Sequence, residues 1–228
     1  MFSTVSAAVL GFLLGLRHAT DADHVVAVTA IVARERSFAR AARIGALWGI
    51  GHSLTVVVIG GTIVAFRIAI PPRVGLGLEF AVAMVLILLG FANLRERAVD
   101  ASGDASGDAA HVNRHLARTE GWRPLIVGVV HGLAGSAAVA LLVLAAIPET
   151  PWAIAYLIVF GLGTIAGMTA VTWLIAAPAL YATQRVDRFQ RGIRLTAGAL
   201  SLLFGLVLAR EIVVDGGLFR ETPNWTPK

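Results

Sequence analysis

The stretch Arg17-His18-Ala19-Thr20-Asp21-Ala22-Asp23-His24 decides how the rest of this chain is read. It gathers an arginine, two histidines and two aspartates into eight residues, between apolar runs at 5–16 and 25–33. Ionisable groups are expensive inside a bilayer; where they occur they face a protein interior or a water-filled cavity and mark ion pathways. Of 228 residues, 57% are hydrophobic and 14% charged, against about 25% charged in a soluble domain. The composition predicts an all-α integral membrane protein, with the motif held inside it.

Outward from the motif, six apolar segments are expected, at about 3–33, 44–66, 74–94, 125–147, 152–181 and 193–214. Most reach the ~20 residues that cross the hydrocarbon. The first is longer than needed, and the charged motif falls near its middle, so its helix is expected to tilt or break there. No basic n-region precedes Val5, so this run is expected to be a span rather than a signal peptide. The connections 34–43, 95–123 and 185–194 hold thirteen arginines; the opposite ends hold Arg67, Arg73, Arg210, Arg220 and Lys228. The positive-inside rule then predicts a cytoplasmic (inner) membrane protein with both termini extracytoplasmic. The net charge of +5 is accounted for by topology and gives no reason to expect nucleic acid.

The chain echoes itself. Gly15-Leu16-Arg17-His18 returns as Gly128-Val129-Val130-His131, Gly49-Ile50-Gly51-His52 as Gly161-Leu162-Gly163-Thr164, and the seven-residue frame Gly90…Arg95-Glu96 as Gly205…Arg210-Glu211. The offsets are 113, 112 and 115 residues, in order. A three-span unit reverses its orientation when repeated, which is the inverted-repeat plan of many secondary transporters. The expected organisation is a first three-helix repeat at 1–97, a flexible cytoplasmic linker at 98–121 and a second repeat at 122–228. His111 and His115 in the linker read as solvated histidines, since no third ligand accompanies them.

Four of six histidines lie in apolar segments: His18, His24, His52 and His131. On an unbroken helix, His18, Asp21 and His24 share an arc of about 120°, while Asp23 points elsewhere unless the helix unwinds or Asp23 braces a ligand from behind. A short connection makes the second span a neighbour of the first, within reach for His52. His131, the echo of His18, is expected to lie close to the motif. Imidazole suits nickel, cobalt and zinc, whereas magnesium and calcium prefer oxygen. Two aspartates offset a 2+ charge at low dielectric. With the ion gone, Arg17 is expected to pair with one of them. There is no cysteine for a thiolate site, and the methionines Met1, Met84 and Met168 are too scattered for a copper(I) path. The expected metal ligands are His18, Asp21, Asp23, His24 and His52, with Arg17, Ser53, His131 and Ser136 along the path. A polar cluster that only glues helices together is the duller alternative.

Residues 17–24 resemble the Arg/Lys-His-Ala-x-Asp-Ala-Asp-His motif of the nickel/cobalt transporter (NiCoT) family, and Gly49-Ile50-Gly51-His52-Ser53 looks like its Gly-His-Ser element. The longer uptake permeases of that family carry a later Asp-Thr-Ala-Thr-Glu element; here His131-Gly-Leu-Ala-Gly-Ser136 stands instead. This looks like the compact branch that includes urease-accessory membrane proteins. The resemblance implies a secondary permease for Ni²⁺ or Co²⁺, acting in uptake, with efflux as the reverse alternative. The metal would be cargo rather than a prosthetic group, and nickel-enzyme accessory proteins would be partners. A membrane-embedded metalloenzyme is a second class, but no His-Glu-x-x-His is present, and the chain is expected not to be an enzyme. An assembly factor without flux is a third. No nucleotide-binding motif is present, so no ATP use is expected.

Overall fold

The computed structural model describes residues 4–32, 35, 37–102, 121–147, 149–182 and 187–225. Most of the linker, with His111 and His115, lies outside the described residues. Those described form seven helices and no strand. They are α1 (Thr4–His18), α2 (Ala22–Val32), α3 (Phe38–Phe66), α4 (Pro72–Ser102), α5 (Arg123–Ala146), α6 (Thr150–Ala182) and α7 (Asp187–Arg210). A π-helical turn interrupts α3 at Val56–Gly60, and another continues α7 at Glu211–Asp215.

The first apolar segment breaks inside the charged motif. Its order of charges is what a helix end followed by a helix start favours: Arg17 and His18 close α1, and Asp23 opens α2. The last turn tightens, with Thr20 N donating to Arg17 O at 2.9 Å and Asp21 N to His18 O at 3.1 Å. The Thr20 hydroxyl donates to the same Arg17 carbonyl at 2.6 Å. Asp21 then accepts the first bond of the new helix, from Val25 N at 3.0 Å. The 15 residues of α1 and 11 of α2 rise about 22 and 16 Å, so only together do they match a bilayer core of ~30 Å. The shared face expected of His18, Asp21 and His24 on one continuous helix is therefore not what joins them.

Four helical stretches are long and apolar enough to cross a membrane alone: Phe38–Phe66, Pro72–Arg95, Thr150–Ala177 and Leu195–Asp215. Ala8–His18, Ala22–Val32 and Arg123–Gly135 are shorter apolar helices. Leu10, Leu13, Leu54, Leu88, Leu174 and Leu203 point outward with more than half their surface exposed, an apolar periphery suited to lipid.

Small residues set the helix pairs. α1 lies along α6 in the same direction: a methyl on Gly15 would overlap the Phe160 carbonyl, and Ala19 meets Gly167. α5 lies along α3 in the same direction: a methyl on Gly128 would overlap the Trp48 carbonyl, and Gly132 meets Thr55. α3 crosses α6 in opposite direction, through Gly49 on Ile165 and Ser53 on Gly161. α4 opposes α7, through Gly90 on Leu202 and Gly205 on Ile87. From Gly15 to Gly128 is a step of 113 residues and from Trp48 to Phe160 one of 112, the offsets of the sequence echoes. Such close approach is how membrane helices pack without a hydrophobic drive.

Candidate metal centre

The break in the first segment brings three imidazoles together. His18 ends α1, His24 enters from the first turn of α2, and His52 faces them from α3. Ring centroids are 4.8 Å apart for His18–His24 and 5.1 Å for both His18–His52 and His24–His52. One ligand nitrogen from each lies within 4.8 Å of the others. The Nε2 atoms of His18 and His52 approach to 3.1 Å.

The aspartates turn to the imidazoles. Asp21 Oδ2 is 2.8 Å from His18 Nδ1, and Asp23 Oδ1 is 3.0 Å from His24 Nδ1. A carboxylate accepts, so each Nδ1 carries the proton and each Nε2 keeps a lone pair, the arrangement that orients metal-binding histidines. Both carboxylates also sit at the N-terminus of α2, where the helix dipole favours negative charge. Side-chain exposure falls from 44% at Asp21 through 17% at His18 to 5% at His24. The cluster thus runs from an accessible rim to a closed floor.

His131 lies at that floor, 5.5 Å from His24 between centroids and 5.3 Å from Trp48. Its Nδ1 donates to Val127 O at 3.0 Å. His24 Nε2, His52 Nδ1, His131 Nε2 and Trp48 Nε1 are all buried without a hydrogen-bond partner. Unpaired buried polar atoms are rare and call for a cause; three of these four are imidazole nitrogens, the donor type that binds borderline divalent ions.

The remaining expectations fare differently. Arg17 is exposed and makes no ion pair among the described residues, contrary to the pairing expected with an aspartate. The last turn of α1 turns its side chain outward, while the short carboxylates find imidazoles at neighbouring positions. The Ser53 hydroxyl donates to Gly161 O at 2.9 Å, tying α3 to α6. The Ser136 side chain lies outside the described residues. The sequence reading missed Trp48 and Gly135. Trp48 stands four residues before His52 and Gly135 four after His131, the helical spacing that shares a face.

A metal ion is an intelligible occupant. Two nitrogens binding one ion at 2.0–2.1 Å with tetrahedral geometry lie about 3.4 Å apart, close to the His18–His52 separation of 3.1 Å.

No family model matches the chain, and no solved structure does. It is 32% identical over 214 residues to the urease accessory protein UreH of Bacillus sp. (strain TB-90), covering 92% of this chain and 93% of that one. It is 25% identical over 210 residues to the chloroplast protein FOR GROWTH AND FERTILITY 1 of Arabidopsis thaliana, covering 86% of this chain and 56% of that one.

Proposed function

The chain belongs to the family of the urease accessory protein UreH, and from that premise we propose that it is a secondary permease taking up Ni²⁺, with Co²⁺ as the nearest competitor. The observation that carries the reading is the buried convergence of His18, His24 and His52 at the break between α1 and α2. Urease is a nickel enzyme, and the family's tie to it supports nickel over the other ions that imidazole binds. His18, His24 and His52 act as ligands. Asp21 and Asp23 hold their tautomers and offset the 2+ charge at low dielectric. The metal is cargo, no prosthetic group is held, and the chain is not an enzyme.

On this reading the chain crosses the cytoplasmic membrane six times, with α1 and α2 together forming one span and both termini outside. The halves 1–97 and 122–228 are inverted repeats joined by the linker. This architecture is supported by the four most extensive helix pairings, α3–α6, α4–α7, α3–α5 and α1–α6, which map onto one another when the halves are exchanged, and by glycine contacts that recur at the echo offsets. An assembly factor without flux is the second reading, favoured by the word "accessory" in the relative's name. Cells with and without the protein, assayed for nickel, cobalt, zinc and manganese, separate the two. A permease raises cellular nickel several-fold. An assembly factor leaves cellular metal unchanged and alters only the activation of the nickel enzyme.

A further inference from the structure

Three imidazoles leave a four-coordinate ion one position short. His131 has the burial, tautomer and placement to fill it. It is 2% exposed. Its Nδ1 bond to the Val127 carbonyl, an acceptor, leaves Nε2 with a lone pair. That nitrogen is buried without a partner, and its ring lies 5.5 Å from that of His24, whose Nε2 is unpartnered as well. Were His131 there only to glue helices, the indole N–H of Trp48 would be its natural donor, yet Trp48 Nε1 is unpartnered too. One turn beyond His131, a Cβ on Gly135 would stand 3.5 Å from His52 Cε1, 3.8 Å from His18 Nε2 and 3.9 Å from His52 Nε2. The same face of α5 therefore carries an imidazole and, one turn on, a glycine whose missing side chain would touch the cluster.

We propose that His131 Nε2 is the fourth ligand to the ion, so that the second half of the chain completes a site built by the first. The inference rests on the reading of His18, His24 and His52 as metal ligands. The set is then four imidazoles, backed by two carboxylates on His18 and His24 and by one carbonyl on His131. It suits borderline divalent ions such as Ni²⁺, Co²⁺ and Zn²⁺ and rejects Mg²⁺ and Ca²⁺, which need oxygen. The ion ties α1, α2 and α3 to α5 while it is bound.

The chain contains no cysteine, which gives a clean test. Purified full-length protein is titrated with Co²⁺ and its absorption recorded. In wild type a tetrahedral d–d spectrum is expected, and X-ray absorption on the same sample counts four imidazoles. His131→Ala weakens Co²⁺ binding by about 100-fold or more, beyond the 10–100-fold that loss of an outer partner costs. His131→Cys, and His24→Cys as its control, each give a thiolate-to-cobalt charge-transfer band, which only a direct ligand produces. A band from His24→Cys but none from His131→Cys, or a count of three imidazoles in wild type, overturns the role of His131 and leaves the three-histidine site standing. No Co²⁺ or Ni²⁺ binding by wild type overturns both.

Discussion

The regions before and after the linker make matching helix contacts but carry different polar residues at corresponding positions. Gly15 meets the Phe160 carbonyl as Gly128 meets the Trp48 carbonyl. Yet where the first half has His18 and His52, the second has His131 and Thr164, at offsets of 113 and 112; where the first has Asp23 and His24, the second has Ser136 and Ala137. Thr164 spends its hydroxyl on Phe160 O, one turn back in its own helix, at 3.0 Å. Backbone approach constrains residue size wherever helices touch, in both halves alike. On the proposed function an ion needs only one set of ligands, so most of them are free to gather in one half, with His131 alone coming from the other.

The sharpest way to break this comparison is to remove an imidazole and its opposite number. His52→Ala is expected to weaken Ni²⁺ binding by about 100-fold or more, because it deletes a ligand outright. Thr164→Ala is expected to stay within about threefold, since its hydroxyl only back-bonds within its helix. Isothermal titration of both purified variants decides it; equal losses would mean that the halves contribute alike.

Next come the braces. Asp23→Asn removes the carboxylate that fixes His24 and is expected to cost 10–100-fold in Ni²⁺ affinity, as outer partners of metal-binding histidines do. Asp21→Asn is expected to cost less, because Asp21 stands at the exposed rim. The reverse order in the same titration would move the centre of the site toward the rim.

The scaffold is expected to respond symmetrically. Gly15→Ala and Gly128→Ala each press a methyl into a facing backbone carbonyl and should cost about 1–3 kcal/mol. Gly77→Ala meets nothing within 4 Å and should be neutral or slightly stabilising through helix propensity. Thermal midpoints in detergent compare the three. A tolerated Gly128→Ala beside a damaging Gly15→Ala would break the equivalence of the two contacts.

The smallest effect is expected in the linker. His111→Ala with His115→Ala should leave cellular nickel accumulation unchanged, because both read as solvated histidines of a polar linker. Loss of accumulation at normal protein level would put the linker in the path.

Much of this was legible in the residues, for identifiable reasons. Apolar runs report helices because a bilayer demands both length and apolarity; five of the expected segments each fall on one helical stretch and the first on two, α1 and α2. The break at 19–21 was legible in the excess length of the first segment and in the charged motif near its middle; the order of charges there is what a helix end followed by a helix start favours. His131 was legible only through its echo of His18, since nothing in its own surroundings marks it. The partners of Asp21 and Asp23 were not legible, because a 100° step per residue predicts faces only on a helix that continues. Trp48 and Gly135 stayed hidden for another reason: one reads as ordinary core and the other as ordinary packing until a neighbouring helix brings His131 or His52 against it. Ser53, read as a path residue, donates its hydroxyl to Gly161 O and joins α3 to α6, because a hydroxyl in an apolar interior needs an acceptor.

On the proposed function, the histidine cluster passes a transition metal through the bilayer. Sealed vesicles containing the purified protein and a trapped nickel-sensing dye test it most directly, with Ni²⁺ added outside. Wild type is expected to raise Ni²⁺ entry many-fold over protein-free vesicles, and His24→Ala, inserted in equal amount, to return it to that background. Wild-type entry at the protein-free rate, from protein that binds Ni²⁺ in detergent, would contradict the claim, as would His24→Ala carrying Ni²⁺ at the wild-type rate.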